Sequence, residues 1–217
     1  MSLPKKTIAD RLFEVQLVGA VIFCGAQFMR SLEDVHGVSV VQFALATAFV
    51  VFNLLLGIGA HRAKPSRVTM QAIVTYVVWV VMLTAVVVAV ATNREYRWSI
   101  QDSVILTVAA VLTVGTLGIG TLLRKPIRDP VTLAFLAIAS KSVPQLLLVW
   151  IILDQGGSGI PTTSIIVGHC TILIRLGQIY FMVREAGWER NRVWLAVSES
   201  AAELTWIAAT IAWLVML

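Results

Sequence analysis

Apolar residues along this chain fall in seven long blocks, at about 12–30, 38–60, 69–91, 103–123, 131–153, 160–182 and 194–217. A helix that crosses a bilayer needs roughly 20 mainly apolar residues. The blocks are continuous rather than alternating, which predicts helices and not barrel strands. Turn formers and charges collect between them, in "RSLEDVHG", "HRAKPSR", "TNREYRW", "RKPIRDP", "LDQGGSG" and "REAGWERNR". The expected fold is an all-α integral membrane protein with seven transmembrane helices, a single membrane domain over 1–217.

Composition agrees with this. The chain is 58% hydrophobic and 13% charged, against about 45–50% and about 25% in soluble domains. Its net charge of +5 does not point to nucleic acid, because the basic residues sit in short clusters between apolar blocks. Lys5, Lys6, Arg11, Arg62, Lys64, Arg67, Arg124, Lys125, Arg128, Arg184, Arg190 and Arg192 fall on one side, against Arg30, Arg94 and Arg97 on the other. The positive-inside rule then predicts a cytoplasmic N-terminus and an outside C-terminus, in a bacterial-type inner (plasma) membrane. The first apolar run is interrupted by Glu14 and Gln16 and lacks a small-x-small cleavage site, so it reads as a retained helix. Cys24 and Cys170 lie inside apolar runs and read as small core side chains. "GTLGIG" (115–120) has no preceding strand and no Lys-Ser pair; its small residues suit close helix packing. No cofactor and no metal are expected.

The chain also repeats itself. "SVVQFALATAFVVFNLLLGIGAHR" (39–62) and "PTTSIIVGHCTILIRLGQIYFMVR" (161–184) share an offset of 122, which pairs Gln42 with Ser164, Asn53 with Arg175 and Arg62 with Arg184. "FCGAQFMRSL" and "SKSVPQLLLV" match before them, with Gln27 opposite Gln145. This predicts a first three-helix repeat over 12–91, a linker helix at 103–123 and a second repeat over 131–217. An odd number of helices per copy, with one linker, makes the copies parallel, an arrangement that transporters use around a site at the repeat interface.

Pro144 predicts a broken or bent helix, because it removes a backbone donor and clashes with the preceding turn. Gly25 supplies flexibility at the matching place in the first copy. Gln27 and Gln145 stand ready to satisfy freed backbone groups or to touch solute.

"SVPQLLLVWIILDQGGSG" (142–159) resembles the PQ-loop motif, and "CGAQFMRSLEDVHGVSVVQF" (24–43) is similar, with Ala26 where proline stands in the second copy. The 3+1+3 order over nearly the whole chain is similar to SWEET-type sugar transporters, cystinosin-like exporters and Pnu-type vitamin transporters. The cytoplasmic N-terminus resembles the Pnu type. The resemblance implies alternating access, with Gln27, Pro144 and Gln145 as hinge or gating residues. It also allows a second reading, a membrane receptor or sorting protein on the same scaffold.

Ser164, Gly168, Thr171, Arg175, Gln178 and Met182 form one face of a helix; Gln42, Ala46, Phe49, Asn53 and Leu56 form another; Glu199, Glu203, Trp206, Thr210 and Trp213 form a third. These stripes predict a shared interior cavity. Lys141, Arg175, Glu199 and Glu203 all fall within spans, where an unpaired charge costs about 2.5–3.5 kcal/mol or more. Residue counting puts Lys141, Arg175 and Glu203 at one depth and Glu199 one turn nearer the cytoplasm. Pairing within the second repeat is the cheapest arrangement, either as a working charge network or as a structural cluster. Asn53, Lys141, Arg175, Glu203 and Trp206 are the candidate solute ligands; His169, Glu199 and Glu203 are candidates for proton coupling. A neutral His169, hydrogen-bonded between helices, is the plainer reading.

The expected function is movement of a small polar solute, a zwitterion sooner than a plain sugar, by uniport or proton coupling. An intramembrane enzyme is not expected, since no His-Glu-x-x-His or Gly-x-Ser-x-Gly motif is present. Two repeats in one chain complete a pore without a partner, and a homo-oligomer is compatible with that.

Overall fold

The computed structural model describes residues 8–217, so Lys5 and Lys6 of the basic side lie outside the described residues. Seven helices make up these residues, with no strand among them: α1 (Ile8–Glu33), α2 (Val40–Ala63), α3 (Arg67–Thr92), α4 (Ile100–Leu122), α5 (Pro130–Gln155), α6 (Thr162–Ala186) and α7 (Arg190–Val215). Six of them, α1 to α6, are long and apolar enough to cross a membrane. Helix α7 is as long as α1 and α3 but less apolar, because Glu199 and Glu203 interrupt it. The outer surface is apolar as well: Val18, Leu55, Val81, Val111 and Leu204 are all exposed. Water would reject such a surface and lipid accepts it. The chain is an α-helical membrane protein.

Local chemistry sets the helix ends. Ser39 caps α2 by accepting from the Gln42 N–H. Ser66 with Thr69, and Ser99 with Asp102, form capping boxes that open α3 and α4. Asp129 caps α5, with Pro130 at the first helical position where its missing N–H costs nothing. Gly156 closes α5 at φ 83°, a left-handed value that glycine adopts without strain.

Helix α3 packs against both α1 and α2, and α7 packs against both α5 and α6. The two groups meet where α1 touches α6 and where α2 touches α5; α4 lies against α5 and α2. The buried core runs through Cys24, Val86, Val90, Ile105, Ile152 and Trp206.

Proline does not break α5. The turn Ile138–Ser142 is a π-helix, in which the Val143 N–H reaches back five residues to the Ile138 carbonyl. The widened turn makes room for the Pro144 ring, and the helix continues to Gln155. The Ser140 hydroxyl adds a bond to the Leu136 carbonyl within the same stretch. The flexibility expected at Gly25 leaves no break: α1 is regular α-helix through Gly25, Ala26 and Gln27. A Cβ at Gly25 would meet nothing within 4 Å, so no close contact requires glycine there.

Candidate functional site

Three helices bring charge to one place. Lys141 lies in the π turn of α5, Arg175 on α6 and Glu199 on α7. Lys141 Nζ stands 3.5 Å from Glu199 Oε2, and Arg175 Nε stands 3.9 Å from Glu199 Oε1. Arg175 Nη1 also donates to Gln178 Oε1 at 3.1 Å, and Gln178 reaches Gln16 Oε1 on α1 at 3.4 Å. The Lys141 and Arg175 side chains are each 31% exposed and Glu199 15%, so the cluster is open on its cationic side.

One turn further along α7, Glu203 Oε1 is 2.7 Å from His169 Nδ1, and His169 Nε2 is 3.0 Å from Thr210 Oγ1. The His169 ring thus bridges Glu203 and Thr210 of α7 through its two nitrogens. Glu203 Oε2 is buried without a hydrogen-bond partner among the described residues. The four charges are thus divided. Glu199, not Glu203, meets both Lys141 and Arg175, and Glu203 turns to His169.

The other candidates lie around these groups. Gln145 Oε1 accepts from Thr205 Oγ1 at 3.0 Å, tying α5 to α7. Pro144 is fully buried behind the π turn. Asn53 is not brought to the charges; its amide donates to the Phe49 carbonyl of its own helix at 2.8 Å. Trp206 is buried at 4% exposure, and its indole N–H donates to the Ile165 carbonyl at 3.2 Å. It packs edge-on to Phe23 and leaves no face open to solute. Of the other tryptophans, Trp150 is exposed on the outer surface, while Trp213 is buried and donates to the Gly157 and Ile160 carbonyls.

Gly168 sits beneath Trp206. A Cβ there would lie 2.5 Å from the indole nitrogen and 2.8 Å from Cε2. The ring is wedged in the core, so Gly168→Ala should destabilise by about 1–3 kcal/mol through overpacking. A thermal midpoint unchanged in detergent would show instead that the ring shifts freely.

The candidate Gln27, with glycines that the sequence reading missed, holds the opposite end together. Gly37, at φ 74°, places its Cα so that a Cβ would lie 2.1 Å from the Gly156 carbonyl oxygen. A Cβ at Gly159 would meet the His36 backbone at 2.7 and 2.9 Å. Gly159 N–H donates to the His36 carbonyl at 3.0 Å, Gln27 Nε2 to the Gly159 carbonyl at 3.0 Å, and Arg30 Nε to the Ser158 carbonyl at 2.8 Å. The α1–α2 and α5–α6 loops are thus joined backbone to backbone. The offset of 122 already pairs Gly37 with Gly159, which was the available signal. Beside them, Asp102 is 2% exposed and accepts from Ser39 Oγ at 2.6 Å and Tyr96 Oη at 2.9 Å. Burial, and then the Asp102 carboxylate, push the Tyr96 hydroxyl upward.

Asp34 titrates within this end. Burial alone would raise it, but hydrogen bonds from Ser158 and from the His36 backbone and ring outweigh that, and its pKa falls below the ordinary value. A depressed carboxylate contributes stability above its unfolded pKa of about 3.9. That stability is lost as pH falls through the lower folded value. Thermal midpoints measured from pH 6 to 3 should therefore fall less steeply for Asp34→Asn than for the parent. Parallel curves would remove Asp34 from the loop contact.

No family model, curated protein or solved structure matches the chain at a significant level.

Proposed function

We propose that this chain is a transporter that moves a small polar solute across the membrane by alternating access of two parallel three-helix units, 12–91 and 131–217, joined by α4. The equivalent packing of α3 between α1 and α2, and of α7 between α5 and α6, supports that division. The observation that carries the reading is the convergence of Lys141, Arg175 and Glu199 from three helices inside the spans, with the two cations partly open. Charges at that depth are costly unless they serve a polar path or pair fully, and neither ion pair is tight.

The joined loops at Gly37 and Gly159 close one end of the bundle. With the N-terminus inside, as the basic residues favour, that is the outer end. Opening it while closing the other is the motion the proposal requires. The π turn at Ile138–Ser142 gives α5 a place to bend, since such turns recur at helix kinks and at functional sites. His169 and Glu203 hold a proton between α6 and α7 and provide the group through which coupling would run.

The test is a thermal-shift screen of the purified chain against sugars, amino acids, nucleosides, vitamins and small acids at pH 5.5 and 7.5, followed by uptake in proteoliposomes. A ligand at one hundred times its Kd stabilises by about 2.7 kcal/mol. Binding and uptake that both disappear in Arg175→Ala support the reading. Uptake at the rate of empty liposomes for every solute that binds would overturn it.

A further inference from the structure

Resting on the transporter reading, we infer that the solute carries a single carboxylate, and that Glu199 occupies that carboxylate's place between Lys141 and Arg175 when the site is empty. Glu199 is held as a ligand would be: one oxygen toward Lys141, the other toward Arg175. Both contacts are long, at 3.5 and 3.9 Å, where a tight charge-assisted bond spans about 2.7–2.9 Å. Two cations share this one carboxylate, and Glu203 reaches neither of them.

Both cations also keep donors in reserve. Lys141 makes one hydrogen bond of the three an ammonium offers. Arg175 Nη2 has no hydrogen-bond partner among the described residues, and its planar fork suits a two-oxygen acceptor. The cations are about twice as exposed as Glu199. A solute therefore approaches from the cations' exposed side and takes the place that Glu199 fills. Glu203 offers a solute ammonium no free acceptor among the described residues, since one oxygen is on His169 and the other is buried. The two cations read the carboxylate.

This assigns Glu199 as an internal competitor. A solute carboxylate that displaces it bridges Lys141 on α5 and Arg175 on α6, two helices that pack on α7 rather than on each other. Binding then ties α5 to α6 within the second of the two proposed units.

The experiment measures binding to the full chain in detergent, with propionate, lactate and benzoate as probes, beside their amides, alanine and inorganic phosphate. The acids should bind and their amides should not, with alanine no tighter than propionate. Lys141→Ala and Arg175→Ala should abolish acid binding. Glu199→Gln should tighten it by tenfold or more, because the competitor is gone. Glu199→Asp, which keeps the charge but withdraws the carboxylate, should tighten it as well and decides the matter if the glutamine variant does not fold. Weaker acid binding by a folded Glu199 variant, equal binding of acids and amides, or phosphate binding tighter than every acid would each overturn the inference. Binding and flux separate the two proposals. Acids that bind without uptake sink the transport reading alone. Uptake of a neutral solute undisturbed in Lys141→Ala and Arg175→Ala sinks this one alone.

Discussion

Gly37→Ala is expected to lower the thermal midpoint more than an alanine at any other glycine of the chain. Two costs coincide at this position. A φ of 74° is left-handed, which disfavours any residue with a Cβ by about 1–2 kcal/mol. The added methyl would also lie 2.1 Å from the Gly156 carbonyl oxygen and 3.1 Å from the Gly157 Cα. Those atoms are backbone and cannot swing aside as a side chain would, so the loops must part, which adds about 1–3 kcal/mol. Parting them also strains the bond from Gly159 N–H to the His36 carbonyl and the contact of Gln27 with Gly159. The expected total is about 3 kcal/mol, read as a lower midpoint in detergent. A cysteine at Ser158, whose carbonyl Arg30 holds, should label faster in the Gly37→Ala background than in the parent. A midpoint equal to the parent's, with labelling unchanged, would show that the loops are merely adjacent.

His169→Phe is expected to be the most damaging change within the spans. The ring joins α6 to α7 through both nitrogens, at 2.7 Å to Glu203 and 3.0 Å to Thr210. Phenylalanine fills similar space but donates nothing. It leaves Glu203 with both oxygens unpaired in a largely buried position, and breaking a buried pair from one side costs about 3–5 kcal/mol. Removing the second partner should recover much of that loss, so His169→Phe with Glu203→Leu should be more stable than His169→Phe alone. A double-mutant cycle in chemical denaturant measures the difference. Additive losses would mean that the two side chains do not depend on each other.

The spans were legible because membrane helices advertise themselves by length and continuity. The block at 38–60 becomes Val40–Ala63, and that at 131–153 becomes Pro130–Gln155. That Lys141 and Arg175 lie inside apolar helices long enough to span, and Glu199 and Glu203 inside the helix that follows, was legible too. Which carboxylate meets which cation was not. Residue counting assumes an even 1.5 Å rise and straight neighbours, whereas α5 carries a π turn at Lys141 itself, and the register between helices is fixed by packing. Counting thus placed Glu203 where the structure has Glu199. Trp206 looked like an open ring because its depth was visible and its cover, Phe23 and Gly168, was not. The glycines at 37 and 159 read as turn formers, since the need for two backbones to touch belongs to the folded chain alone. Asp102 falls just outside the apolar block at 103–123, where nothing in that pattern marks its burial, although Ser99 three residues before it spells a capping box.

Helix α7 is too polar to meet the hydropathy of a spanning segment by itself, and this bears on how the chain is put into a bilayer. Lys141 and Arg175 leave the ribosome before Glu199 does. Until α7 arrives, α5 and α6 each hold a cation in lipid with no carboxylate opposite. Assembly of this half therefore waits on its last helix, and the charges that disfavour each insertion alone recruit the three segments to one another. A chain truncated before Arg190 should show this, with α6 partitioning poorly in a glycosylation-mapping assay and recovering when Arg175→Leu is introduced. Full insertion of the truncated chain without that change would show that the cations are no obstacle.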